Sequence, residues 1–193
     1  MAFAVVEKRK IVLVSGSPRR KWLLERAHFE VSVQPPDVDE AWPGGDPLAA
    51  TVILARRKLA AVAPPPDLAL AADTMVLLDG APMGKPRDDA EATAMLLRLS
   101  GRRHQVVTGF CASRGDAQRQ RAVTTDVWFR PLSLPEIQRY VATGEPLDKA
   151  GAYGIQGLGR GFVETWRGSY TNVMGLPLAD VLRAVRDLCG EYC

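Results

Sequence analysis

The residues of this chain that could do chemistry stand mostly at turns, and they carry opposite charges. Arg19 and Arg20 follow directly on a short β-branched run, Ile11-Val12-Leu13-Val14, and Lys85 sits just before a proline. Lys58 lies within a helical stretch, and Lys149 and Gln156 belong to a segment rich in glycine. Against these cations stand Asp39 and Glu40 in an acidic loop, and Asp73 inside the apolar run LALAADTMVLL. A carboxylate in such a run is costly without a cation partner. A carboxylate pair opposite several cations is the composition of a metal–polyphosphate site, in which the acids hold Mg²⁺ and Arg and Lys neutralise phosphate. Each residue alone has an ordinary explanation. Asp73 would fit a turn at a strand end, Glu40 an exposed loop, Lys58 and Lys85 solvated surface, and Ser15 and Ser17 turn and cap hydrogen bonds.

The elements that must position these groups can be read from periodicity and punctuation. Ile11–Val14 is a buried strand, ended by Ser15-Gly16-Ser17. Ser17 is a suitable N-cap and Pro18 a suitable first position for a helix running to about Ala27. Strand, small-residue turn and helix N-terminus with two arginines together make an anion pocket, because unpaired N–H groups and the positive end of the helix dipole meet the guanidinium groups. Phe29–Val33 is a strand leading into the acidic loop, and Asp46-Pro47 opens a helix to about Val62, with Leu48, Val52, Ala55 and Leu59 near one face. Pro64-Pro65-Pro66 ends it. Leu68–Ala72 reads as a strand that stops at Asp73-Thr74 and resumes over Met75–Leu78, with a hairpin turn at Asp79-Gly80. Asp88 or Asp89 caps a helix with Ala90, Ala94, Met95 and Leu97 inward. His104–Ala112 and Arg121–Arg130 are partner strands. Ser133-Leu134-Pro135-Glu136 is a capping box, and Asp148–Arg160 is a shaped glycine-rich loop. Phe162–Trp166 is a strand. The closing helix, Pro177–Leu188, has Leu178, Val181, Leu182 and Val185 inward. The expected class is α/β, a mixed sheet flanked by helices.

Composition narrows the rest. At 193 residues, 47% of them hydrophobic, the chain is expected to be a single domain spanning 1–193 with a substantial core. A net charge of +3 without a polybasic tract speaks against a general nucleic-acid binder. Too few aromatics accompany the basic residues for a single-strand binder. Three scattered cysteines (Cys111, Cys189, Cys193) fit a reducing cytoplasm rather than a disulfide framework. Two histidines and no C-x-x-C make a zinc site improbable. In MAFAVVEKRK the charges follow the apolar residues, the reverse of a signal peptide, and no apolar run approaches the ~18 residues of a membrane span. His104 is expected to be structural, and Cys111 lacks an activating partner.

Taken together, the segments resemble the Maf-like nucleoside triphosphate pyrophosphatases, also described as septum-formation inhibitor proteins. The likeness runs nearly end to end: SGSPRR at Ser15–Arg20, Asp39-Glu40, LARRKLA around Lys58, AADTMV at Ala71–Val76, GKP at Gly84–Pro86, LSGRRHQVVTG at Leu99–Gly109, DKAGAYGIQG at Asp148–Gly157 and GLPL at Gly175–Leu178. Val14 stands where the family usually has alanine, a packing change.

The resemblance implies an elongated α/β structure with a central cleft, similar to the inosine triphosphatase architecture. It implies hydrolysis of a nucleoside triphosphate between the α and β phosphates with a divalent metal. It assigns Asp73 as proton acceptor and, with Glu40, as metal ligand; Lys58 and Lys85 face the phosphates, and Ser15, Ser17, Arg19 and Arg20 form the serine-rich loop. Arg19, Thr74 and Gln156 match the dTTP/UTP branch, whereas a 7-methyl-GTP branch has Trp in place of Arg19 and Gln in place of Thr74. A homodimer is expected from the likeness alone. A reading from another class, a nucleotide-sensing regulator of cell division acting through a partner, would use the same cleft.

Overall fold

The computed structural model describes residues 8–62 and 68–190. The first residues of the N-terminal segment, the Pro64–Pro66 helix stop and Cys193 lie outside the described residues.

Among the described residues seven strands form one sheet in the order β2-β1-β3-β5-β6-β7, with β4 on β3. Strand β1 (Arg9–Val14) lies parallel to β2 (Phe29–Val33) and to β3 (Leu68–Leu78), with helix α1 (Pro18–Arg26) crossing between β1 and β2. The remaining pairs are antiparallel: β3 with β4 (Ala81–Met83) and with β5 (Arg103–Arg114), β5 with β6 (Ala117–Phe129), and β6 with β7 (Val163–Arg167). This is the mixed sheet expected. Helices α2 (Pro47–Ala60), α3 (Asp89–Leu99), α4 (Leu134–Val141), the short α5 (Tyr170–Val173) and α6 (Leu178–Cys189) pack around it.

Strand β3 shows why the site forms where it does. It is one unbroken strand of 11 residues, not two halves stopped at Asp73-Thr74. Side chains alternate across a strand. Leu68, Leu70, Ala72, Val76 and Leu78 join the large core on one face, while Ala69, Ala71, Met75 and Leu77 join smaller apolar clusters on the other. Thr74 shares its parity with the first set, and Asp73 falls between Ala71 and Met75 on the second. The carboxylate therefore sits mid-strand, in a gap between two apolar clusters on the α2 side.

Several expected helix faces are rotated. In α2 the buried residues are Ala50, Thr51, Leu54, Ala55, Lys58 and Leu59, whereas Leu48 is exposed. The helix stops at Ala60, two residues before Val62. In α3 the inward residues are Ala92, Met95, Leu96 and Leu99; Ala90, Ala94 and Leu97 face solvent. In α6, Leu182 is exposed and Ala184 is buried. Small alanines broaden the apolar stripe, so counting large residues misplaces its centre. Asp88, not Asp89, caps α3, accepting from the Glu91 N–H at 2.8 Å. The expected capping box at Ser133 does not form its side-chain bond. Glu136 turns instead to the Arg130 guanidinium. Two short 3-10 turns, Ala150–Ala152 and Leu158–Phe162, shape the glycine-rich loop.

Candidate active site

A cleft of about 710 Å³ opens at the C-terminal ends of β1 and the first half of β3, and it is lined by Ser15, Ser17, Arg19, Arg20, Glu40, Lys58, Asp73, Thr74, Lys85, Lys149 and Gln156, whereas Asp39 lies outside it with its carboxylate on the Ala41 N–H. Its floor is an ion-pair cluster in which Lys58 and Asp73 are buried and Glu40 is exposed. The Lys58 ammonium, reaching from α2, lies 2.6 Å from Asp73 Oδ1 and 3.0 Å from Glu40 Oε1. Lys58 is 4% exposed, so it is not the solvated lysine that long helices usually carry. Lys85 approaches Glu40 Oε2 at 3.9 Å from the far side. Desolvation pushes the Glu40 carboxyl up. The Lys58 hydrogen bond and the charges of Lys58, Lys85 and Arg20 outweigh it and hold the carboxyl below its ordinary range.

Helix α2 reaches that floor because of one missing side chain. Gly109 on β5 is the register partner of Asp73 on β3. A Cβ on Gly109 would lie 2.4 Å from the carbonyl carbon of Thr51 and 2.5 Å from the Val52 nitrogen. The α2 backbone thus rests directly on the sheet beside Asp73, and two turns further along the helix Lys58 meets the carboxylate.

The turn after β1 places the arginines. Ser15 Oγ accepts from the Ser17 N–H at 3.2 Å and from Arg20 Nη1 at 2.8 Å. Ser17 is the N-cap residue of α1 but makes no side-chain cap bond, which leaves the first-turn N–H groups without a side-chain acceptor. Arg20 is buried and held at three points, donating from Nε to Gly175 O at 2.8 Å and from Nη2 to Thr74 Oγ1 at 3.1 Å as well as to Ser15. A guanidinium has five N–H donors, so two remain for an anion. Burial lowers its pKa from the ordinary value, partly countered by Asp73.

The opposite wall is the glycine-rich loop. Arg19 pairs with Asp148 at 3.1 Å, and Lys149 Nζ lies 2.6 Å from the other Asp148 oxygen. Desolvation raises the Asp148 carboxyl, yet the hydrogen bonds from Lys149 and Arg19 prevail and hold it down. Gln156 is half-buried at the cleft wall. The loop is stapled by Glu145, whose carboxylate accepts from the Leu158 and Gly159 N–H groups at 3.1 and 3.2 Å and from the Tyr140 hydroxyl at 3.1 Å. Gly157, at φ 79°, lets the chain turn against that carboxylate where a Cβ would meet it at 2.9 Å.

Sequence reasoning gave no role to Asp148, Glu145, Thr108 or the Gly175 carbonyl. Asp148 was legible only as part of the loop. A lone acid after Gly144 carries no pattern, and a backbone carbonyl carries no sequence signal at all.

Residues 10–188 match the family described as Maf-like protein. The chain belongs to the Maf-like protein family. A dTTP/UTP pyrophosphatase of Anaeromyxobacter dehalogenans is 48% identical over 182 residues, covering 92% of this chain and 93% of its own. A dTTP/UTP pyrophosphatase of Citrifermentans bemidjiense is 47% identical over 191 residues, covering 94% and 96%. Among solved structures, a nucleoside-triphosphatase / dITP/XTP pyrophosphatase of Mycobacterium abscessus aligns over 92% of this chain and 93% of its own at 16% identity and a TM-score of 0.44, too slight a likeness to carry an argument. The α/β class rests on the sheet itself.

The acidic residues of this Maf-like cleft suit one mode of metal binding. Asp73 and Glu40 are both within hydrogen-bond distance of a single nitrogen, so their oxygens converge. Among the described residues no three His, Cys, Asp or Glu gather into a cage. Mg²⁺ is commonly held by one or two carboxylates together with substrate phosphates rather than by protein alone. That donor set fits a cation that is completed by a polyphosphate.

Proposed function

We propose that this Maf-like chain is a nucleoside triphosphate pyrophosphatase that hydrolyses dTTP and UTP to the monophosphate and pyrophosphate, with Mg²⁺ or Mn²⁺ held by Asp73 and Glu40. The observation that carries the reading is the Lys58 ammonium clamped between those two carboxylates, beside an arginine anchored at three points with two donors to spare. The relatives' names point the same way.

The residues divide the work. Arg20, Lys58 and Lys85 neutralise phosphate oxygens, and the α1 N-terminus adds N–H groups. Lys58 holds Asp73 in place. Asp73 accepts the proton of the attacking water while the pyrophosphate leaves in line. A divalent cation bound there supplies Lewis-acid neutralisation of the phosphates. Arg19, Thr74 and Gln156 read the base; an amide offers both a donor and an acceptor to a pyrimidine edge. A single cytoplasmic domain and a homodimer belong to the same reading. Among the described residues no helix is long and apolar enough to cross a membrane.

Pyrophosphate release from a panel of triphosphates, with and without Mg²⁺ or Mn²⁺, tests the proposal. UTP and dTTP should exceed dATP, dGTP and 7-methyl-GTP in kcat/KM, and Gln156→Glu, which removes the amide donor, should harm the uracil and thymine substrates selectively. Shape alone in an apolar slot gives only ~10–200-fold discrimination, whereas an unpaired buried polar group rejects more strongly. Faster turnover of 7-methyl-GTP than UTP would sink the base assignment. No pyrophosphate from any triphosphate would sink the enzyme reading.

A further inference from the structure

Beneath Arg20 runs a line of hydrogen bonds with a group that can only donate at one end and a group that can only accept at the other. At one end a guanidinium can only donate, and Arg20 Nη2 lies 3.1 Å from Thr74 Oγ1. At the other end a carbonyl can only accept, and Thr108 Oγ1 lies 3.2 Å from Asn172 O. Between them Thr74 Oγ1 and Thr108 Oγ1 are 2.9 Å apart, and these two residues are register partners on β3 and β5. Two carbonyls compete for the hydroxyl protons, Asn172 O at 3.2 Å from Thr108 Oγ1 and Gly175 O at 3.4 Å from Thr74 Oγ1, and the shorter contact favours the Thr108 proton on Asn172 O. With the Thr108 proton on Asn172 O, Thr74 donates to Thr108, and the Thr74 lone pairs are left for Arg20 and for the cleft.

The far end is itself rigid. Asn172 is fully buried, and its side-chain Nδ2 donates to Val106 O at 2.9 Å and to Thr125 Oγ1 at 3.0 Å. Its carbonyl also accepts from the Gly175 N–H at 2.9 Å. Gly175 is the residue whose own carbonyl grips Arg20 Nε.

We propose that Thr108, fully buried below the cleft, is a positioning residue for phosphate binding: its hydroxyl orients Thr74 as an acceptor and so holds the Arg20 fork toward the anion. The inference rests on the phosphate-binding half of the proposed function, and pyrophosphate, which carries no base, reads that half alone. Without the Thr108 hydroxyl, the remaining acceptor for the Thr74 proton is Gly175 O, at 3.4 Å. That carbonyl already receives Arg20 Nε, so two of the three Arg20 anchors are disturbed together.

Thr108→Val keeps the shape and removes the hydroxyl; Thr108→Ser keeps the hydroxyl and removes a methyl. The Asn172 carbonyl retains the Gly175 N–H, so Thr108→Val leaves no orphaned acceptor there and the fold should hold. Should it not, Thr108→Cys, similar in size and a weak hydrogen bonder, takes its place. Titration calorimetry with inorganic pyrophosphate and Mg²⁺ reads the effect without turnover. Thr108→Val should weaken pyrophosphate binding roughly five- to tenfold, the scale of one net hydrogen bond or slightly more. Thr108→Ser should stay within about twofold of the wild type, well inside that scale. Unchanged binding in Thr108→Val, or equal losses in the Val and Ser variants, would overturn the relay while leaving the pyrophosphatase reading standing. A wild type that does not bind pyrophosphate at all would overturn both.

Discussion

Asp73 does its proposed work against the pull of its neighbour. A base hydrogen-bonded to an ammonium at 2.6 Å is well oriented but shares its charge, and Glu40 on the same ammonium relieves that demand. Asp73→Asn tests the division. The amide is nearly isosteric and its oxygen can still accept from Lys58, while Glu40 still accompanies the buried charge, so no uncompensated ion remains. The variant should fold, by circular dichroism and thermal melting. Its kcat on UTP should fall by at least ~10²-fold, the lower end of what a positioned general base contributes. A folded variant that retains most of its activity would remove Asp73 from the proton-transfer role.

At the scale of elements, the site is a consequence of how α2 lies on the sheet. Gly109→Ala would drive a Cβ into the Thr51–Val52 backbone, which cannot rotate out of the way as a side chain can. Destabilisation on the order of 3 kcal/mol is expected, at the upper end of overpacking costs. If α2 moves off to accommodate the methyl, Lys58 retreats from Asp73 and activity should fall more than stability alone explains. Denaturant unfolding and UTP turnover measured on one preparation separate the two. The elements were largely legible because turn residues and apolar runs mark their ends. The faces of α2, α3 and α6 were less so, because buried alanines such as Ala50, Ala92 and Ala184 shift the stripe without standing out by type. Asp73 read as a break in its strand because a charge in an apolar run resembles a strand end. The structure keeps it mid-strand because α2 delivers a cation there, a long-range fact that no local pattern holds. The site residues could be gathered by type and by likeness. The Thr74–Thr108–Asn172 line could not, since Thr and Asn in strands and short helices are ordinary.

At the scale of the whole molecule, the loop that walls the cleft is carried on an aromatic cluster, and that cluster contains the buried His104. His104 packs edge-on against Phe129 and Tyr153 with ring centroids 4.9 and 5.3 Å away, and its Nε2 lies 2.7 Å from the Tyr153 hydroxyl. Phe129 and Tyr140 extend the cluster to Phe162, at the end of the glycine-rich loop. Burial pushes the His104 pKa down from 6.5 to about 4. Between those values the folded chain keeps the ring neutral while the unfolded chain takes up a proton. Acid therefore favours unfolding: stability is complete above about pH 6.5 and declines as pH falls toward 4. From pH 7.5 to 5.5 the loss should be about 1 kcal/mol, a window above the ordinary carboxylate range. Urea unfolding at the two pH values gives the difference, and His104→Phe, which cannot protonate, should flatten it even though it forfeits the Tyr153 hydrogen bond. A slope that persists in His104→Phe would assign the acid sensitivity to another group and leave the aromatic cluster a packing feature only.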